Sequence, residues 1–480
     1  MPCFCVVLAK KVSKWLKRKF TKSRDPVKIL PAAAMDKIFS FLPGNQLIQL
    51  TTVSKSWNKA IGKSEVCMDK MKIQISEYFV CYQRDFKTED AVRLITSGRK
   101  YKHLSISCIS NYSNQHRQLS REHKLLMGSF NWKSFSLSNH AFCNEMELMN
   151  FFELVSPRIE LIELRSVKIR HAVQEYESNI QFPNLKVLHL INVCNYIYRV
   201  PFKNVTTLLD FGVATEPVRH HGIGNSIRLK QRVHHMISIM VKNANIENLQ
   251  LYIDQEDFDF MFYGHRRMFS QIEFKLESLM VGRFELLHHE KSNVLQVQNF
   301  KDFLQSQSSS MRELEITEHL GNQVLEVIIN EMNNLDDLTL HGLEEYANLD
   351  KLSLVPNHSI RSLNMVAERF SPCELSILKN IPNLKHFTTN SIDQRIFNTL
   401  AQDNLKLRTI STNFFTAHTP PKDSVLNNLI RLKICLKSSD IFFEKIQNKE
   451  NFTDFDLIFL DAYKYLARRW DVSRKSFYEW

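Results

Sequence analysis

Glycine is scarce in this chain, with 11 residues in 480, where an average protein carries roughly 7%. That shortage argues against glycine-rich phosphate loops and against sandwich folds with many tight turns. Gly62-Lys63-Ser64 resembles the end of a phosphate loop, but Trp57 stands where the motif needs its first glycine. The nine cysteines include no Cys-x-x-Cys pair, which disfavours a disulfide framework or a zinc knuckle and fits a reducing cytoplasmic or nuclear compartment. No apolar run reaches the roughly 20 residues needed to span a bilayer. The N-terminal PCFCVVLA run precedes its positive charges, the reverse of a secretory signal.

Catalytic and metal-binding patterns are missing too. The histidine doublets His220-His221, His234-His235 and His288-His289 lack the i, i+4 order of a zinc helix. The run Asp254, Glu256, Asp257, Asp259 lacks the glycine and terminal glutamate of a calcium loop, and its Phe258 and Phe260 suggest a loop pinned to a surface or docking a partner. No nucleophile elbow, Cys-His pair or paired carboxylates stand out. The chain is therefore read as non-catalytic, with no cofactor and no metal.

Acidic residues are absent from positions 1–24, which hold eight Lys or Arg, so these account for eight of the net +12 charges. The near-balanced remainder is not a basic nucleic-acid platform. Within this tail, Val12, Trp15, Leu16 and Phe20 share one helical face among lysines and arginines. Two roles suit such a strip: a membrane anchor helped by lipidation at Cys3 or Cys5, or a flexible tail read as a nuclear-import signal.

What is present begins at Leu30. Met35, Ile38, Phe39 and Leu42 recur at helical steps after Leu30-Pro31, and Pro43-Gly44-Asn45 interrupts them. Leu47, Leu50, Val53, Ser54 and Trp57 continue at the same spacing, predicting two short helices joined by a turn. The succession LP, IFSFL, L and VSKSWN resembles the F-box, the module through which substrate adaptors join cullin-type ubiquitin ligases. The resemblance implies that Leu30, Pro31, Ile38, Leu42, Leu47, Leu50, Val53 and Trp57 pack inside or grip a Skp-type adaptor. Ala32, Ala33 and Gln46 stand where that family usually carries acidic residues.

Beyond this module, Met71, Ile73 and Ile75 alternate as in a strand, and Thr88-Glu89-Asp90 precedes Ala91, Leu94 and Ile95 as in a capped helix. The unit recurs as L-x-x-L-x-L. Its fourth position falls at Leu314, Leu338, Leu363, Phe387, Ile410, Leu432 and Phe455, spaced 24, 25, 24, 23, 22 and 23 residues apart. These values lie within the leucine-rich-repeat range of roughly 20 to 29. From Ile73 through Leu104, Phe135, Ile162, Leu188, Leu208, Leu249 and Leu279 to Leu314 the spacing varies from 20 to 41. Val233, Met236, Ile237, Met240 and Val241, then Val324, Val327 and Ile328, then Ile396, Phe397 and Leu400 are predicted helices covering the sheet.

One such unit buries too little apolar surface to stand alone, so neighbours must stack. The predicted fold is α/β: an N-terminal all-helical F-box, then a leucine-rich-repeat solenoid with a curved parallel sheet. Its parts are a tail at 1–24, the F-box at 25–66, about 14 to 15 repeats at 67–460 and a cap at 461–480, with Asp461 capping and Tyr465, Leu466, Arg469 and Trp470 against the last repeat. The layout resembles the F-box/leucine-rich-repeat substrate adaptors, although Val193 and Cys194 replace the usual residue after the strand.

That resemblance implies a Skp-type adaptor and a cullin as partners and a protein target for ubiquitination. A non-catalytic scaffold with a degenerate F-box is the alternative. Strand residues alternate sides, so those flanking the leucines face the target. They are His189, Gln250, Glu313, Glu315, Asp337, Thr339, His341, Asn364, Thr388, Ser411, Arg431, Lys433, Asp454 and Asp456.

Overall fold

The computed structural model describes residues 25–78, 86–109, 121–155, 158–171, 180–194, 197–198, 200, 202–211, 233–234, 236–252, 261, 273–282, 298–317, 321–341, 352–366, 372–404, 406–415, 431–434, 456–461, 466–471 and 476–479. The chain divides into two compact units, Met1–Val205 and Thr206–Trp480.

The first unit opens with five short helices: α1 Pro26–Ile29, α2 Ala32–Ser40, α3 Gly44–Thr51, α4 Lys55–Lys63 and α5 Glu65–Met68. The second predicted helix is in fact two. Ser54 adopts an extended conformation and its hydroxyl accepts from the Trp57 amide at 3.3 Å, starting a new helix. Thr51 and Thr52 donate to the Ile48 and Gln49 carbonyls and help close the helix before it. The helical phase resets there, so Val53 falls outside the apolar stripe and is exposed.

Behind these helices comes a parallel run of β1 Lys72–Tyr78, β2 His103–Ile109, β3 Ser134–Ser138, β5 Leu161–Arg165 and β7 Val187–Ile191, each paired with the next. The short strands β4 Ala141–Asn144 and β6 Lys168–His171 pair separately. Helices α6 Thr88–Thr96, α7 Arg121–Ser129 and α8 Glu145–Val155 pack side by side. Helix α6 starts at Thr88, after Lys87, whose amide donates to the Asp90 carboxylate at 3.3 Å. Phe135, Phe142, Phe151, Phe152, Phe182 and Phe202 form one aromatic cluster, with ring centroids 5.0 to 6.0 Å apart.

The second unit repeats the plan. Strands β8 Thr207–Phe211, β9 Asn248–Tyr252, β10 Ser278–Gly282, β11 Glu313–Ile316, β12 Asp337–His341, β13 Ser362–Val366, β14 His386–Ile392, β15 Thr409–Phe415, β16 Arg431–Ile434 and β17 Asp456–Asp461 pair in parallel, in chain order. The helical residues 236–242, α9 Gln298–Gln307, α10 Asn322–Glu331, α11 Pro372–Lys379 and α12 Gln394–Asp403 lie between strands. Val233, Met236, Ile237, Met240, Val324, Val327, Ile328, Ile396, Phe397 and Leu400 are all buried, as their spacing predicts.

Register follows the leucine markers. Ile73 pairs with Leu104, Leu314 with Leu338, and Leu363 with Phe387. In β1 to β15 of the parallel run the residue two beyond the marker also turns inward, and in β8, β14 and β15 it is polar but buried: Asp210, Thr389 and Thr412. From β9 to β15 each unit is stapled to the last where its strand begins. The Asp336 and Asp337 amides both donate to the Arg312 carbonyl, and the Arg361 and Ser362 amides to that of Asp336, at 2.8 to 3.0 Å.

Two expectations change at the C-terminus. Leu457 pairs with Leu432, so the marker lies two residues beyond Phe455, and Asp454 falls outside the described residues. Apolar residues at both Phe455 and Leu457 satisfy the same pattern, and pairing decides between them. Asp461 ends β17 rather than capping a helix, and β18 Leu466–Asp471 and β19 Ser476–Glu479 continue the sheet antiparallel. Tyr465 lies outside the described residues, as do the basic tail and the acidic run at 254–259.

Candidate functional site

The helical module has a small core and leaves several large apolar side chains in solvent. Met35, Phe39, Leu47, Ile61, Cys67 and Met68 form its core, and the Trp57 ring meets Phe39 edge-on at 6.2 Å. Of the eight residues singled out by resemblance, Leu47 is buried. Leu30, Ile38, Leu42, Leu50 and Trp57 are half-buried, and Pro31 and Val53 are exposed. Three further large apolar side chains stand in solvent: Ile29, Phe41 at 54% and Ile48 at 48%. A monomer gains nothing by exposing several such groups within 25 residues, so the surface suits a partner.

Polar contacts hold the helices while that surface stays open. The Ser64 hydroxyl donates to the Asp36 carboxylate at 2.5 Å and accepts from the Cys67 amide, joining α2 to the start of α5. The Lys70 ammonium donates to the Ser40 and Leu42 carbonyls at 2.6 and 3.0 Å, closing the C-terminus of α2. The Ser56 hydroxyl donates to Asp25, whose other oxygen accepts from the Val27 amide.

A second surface is the sheet face opposite the leucine core. In the second unit Gln250, Glu313, Glu315, Asp337 and Thr339 line one open depression of about 180 Å³, together with Ser278 and Met280. Glu313 stands across from Asp337 in the register, and Glu315 across from Thr339. Burial, with Asp337 adding, raises the Glu315 carboxyl above its usual value.

Asn364 and Ser411 are half-buried and Thr388 is exposed on adjoining strands. His341, Arg431, Lys433 and Asp456 occupy strand positions in β12, β16 and β17. His189 belongs to the first unit, opposite Glu163. Burial lowers its imidazole and Glu163 pulls it back up.

Burial pushes the Cys373 thiol up to about 12, with Glu374 adding, so it stays protonated and unreactive at neutral pH.

The family model for the F-box domain matches residues 28–68, which run from α1 to the end of α5. This stretch is an F-box domain. No curated protein matches the chain. Among solved structures it resembles a chain of the crystal structure of the Rad7 and Elc1 complex in yeast. That chain is 14% identical, with 90% of this chain and 97% of that chain covered and a TM-score of 0.36. It also resembles a chain of the TLR13–ssRNA13 complex at 13% identity, covering 82% of this chain and 54% of that one, with a TM-score of 0.40.

The F-box exposes apolar residues beyond those named from the sequence. Periodicity selects side chains that pack, whereas Phe41 and Ile48 are out of phase with that stripe and point outward. An apolar residue off the buried stripe was the available signal. On the sheet, Ser278 and Met280 of β10 flank Leu279 and line the same depression, although the sequence reading does not name them.

Proposed function

We propose that the protein is the substrate-recognition subunit of a cullin-based ubiquitin ligase. The F-box at 28–68 docks a Skp-type adaptor, and the strand units, read as leucine-rich repeats, hold a target protein for ubiquitination. The observation that carries this reading is the F-box with its own large apolar side chains unburied: Ile29, Phe41, Ile48 and Val53. The chain then contributes no chemistry of its own. It raises the local concentration of the target at the conjugating machinery.

The test is co-purification of a Skp-type adaptor and a cullin with the full chain. Phe41→Glu with Ile48→Glu should abolish recovery while leaving the melting temperature within a few degrees, because both side chains are exposed. Leu30→Ala with Pro31→Ala should act in the same direction. A folded wild-type chain that recovers no adaptor contradicts the proposal.

A second reading is a non-catalytic scaffold with a degenerate F-box. It is favoured by the absence of any acidic residue in the first turns of α2 and α3, where Ala32, Ala33 and Gln46 stand. The same co-purification separates the two readings.

A further inference from the structure

We propose that the open sheet face of the second unit receives one extended segment of a partner protein whose charges come in two blocks, cationic over β9–β12 and anionic over β13–β15. This rests on the reading of that face as the target-binding surface and names the kind of segment it takes.

The face, taken together with the column of residues that precede its strands, has two electrostatic halves. Strands β9 to β12, each taken with the residue before it, carry six carboxylates (Glu247, Glu277, Glu313, Glu315, Asp336 and Asp337) against one cation, Arg312. Strands β13 to β15, counted in the same way, carry Arg361, Lys385 and Arg408 and no carboxylate. The strand-start staples place these residues in one column. The Lys385 and His386 amides donate to the Arg361 carbonyl, and those of Arg408 and Thr409 to the Lys385 carbonyl, at 2.7 to 3.0 Å. The Arg361–Asp336 ion pair at 3.5 Å marks the junction between the halves.

The acidic half is concave and under electrostatic strain. Glu313 and Asp337 stand directly across from each other, an arrangement that disfavours the free protein. The charge acting on Glu315 is Asp337, of its own sign. A lysine or arginine lowered into the depression relieves both, and its aliphatic stem meets Met280. The basic half offers neutral polar partners around its cations: Ser362, Asn364, Thr388 and Ser411, and His386 bonded to the Thr409 hydroxyl at 2.7 Å. A uniform polyanion such as nucleic acid is repelled by the acidic half, which favours a protein segment. Adjacent strands lie about 4.8 Å apart, so β11 to β14 is about 14 Å, or roughly four extended residues between the blocks.

The experiment uses the purified full chain and two fluorescein-labelled peptides of identical composition at low salt. One has three lysines, a Gly-Ser-Gly spacer and three glutamates; the other alternates the same charges. The blocked peptide should bind about tenfold or more tightly than the alternating one. Glu315→Lys with Asp337→Lys, and separately Lys385→Glu with Arg408→Glu, should each weaken it by about tenfold, whereas Glu153→Lys on α8 should not. Should a double variant fail to fold, Glu315→Gln and Lys385→Gln serve in its place, each with a smaller loss. Equal binding of the two peptides, or an equal effect of Glu153→Lys, overturns the proposal. Adaptor recovery by the sheet variants should match wild type, so failure here stays distinct from failure of the ligase reading.

Discussion

Gly44 opens α3 immediately after Pro43, and a methyl group there would lie 2.3 Å from the Lys70 carbonyl oxygen. Alanine is the better helix former by about 1 kcal/mol, yet here it forces two backbones apart. Gly44→Ala should therefore destabilise the F-box by about 1–3 kcal/mol in urea unfolding, and an unchanged midpoint would show that α3 shifts freely. Glu315 makes a prediction of opposite sign. Its carboxyl is raised in the fold by burial and by Asp337, so its contribution to stability is complete below the usual carboxylate range and is lost as pH rises through the raised value. Facing it are the carboxylates of Glu313 and Asp337, while Gln250, Ser278, Met280 and Thr339 bring no charge. Glu315→Gln should melt higher than wild type at neutral pH, and the gap should close near pH 4.

At the scale of elements, two buried asparagines tie one strand unit to the unit before it. The Asn357 amide donates to the Ile329 and Met332 carbonyls at the end of α10, and its oxygen accepts from the Ser359 and Ile360 amides. Asn404 reaches back likewise to Leu378 and Ile381. Asn357→Ala removes these hydrogen bonds from a buried position and should cost about 2–3 kcal/mol. The half-buried Asn383, whose bond to the His358 carbonyl is exposed, should cost less than Asn357 on the same change. Equal losses in denaturant titrations would mean the burial of Asn357 carries no weight. After β5 and β7 the turn is held differently. Ser166 and Asn192 take positive φ, and the Cys194 amide donates to the Val167 carbonyl.

At the scale of the whole molecule, the basic tail and the F-box are expected to act separately. Deleting residues 1–24 should leave adaptor recovery unchanged and alter the distribution of the protein between cytoplasm, nucleus and membrane. An unchanged distribution on imaging would remove both the anchor and the import roles. The parallel strands of the second unit end in the antiparallel pair β18 and β19. An exposed parallel edge is an aggregation hazard, and a terminal hairpin changes what that edge presents.

The sequence by itself determined the repeating strand plan and the place of the helical module. Burial of Leu314, Leu338 and Leu363 requires an apolar residue at every unit, and that requirement is written locally as period and spacing. Tertiary structure alone decided the rest. Whether Phe455 or Leu457 enters the register depends on pairing with Leu432, and the depression at Glu315 exists because strands distant in sequence lie side by side. Phe41 and Ile48 carry the same apolar chemistry as Phe39 and Leu47. Their phase off the apolar stripe hints at the difference, but what separates surface from core is which neighbours the fold brings to each.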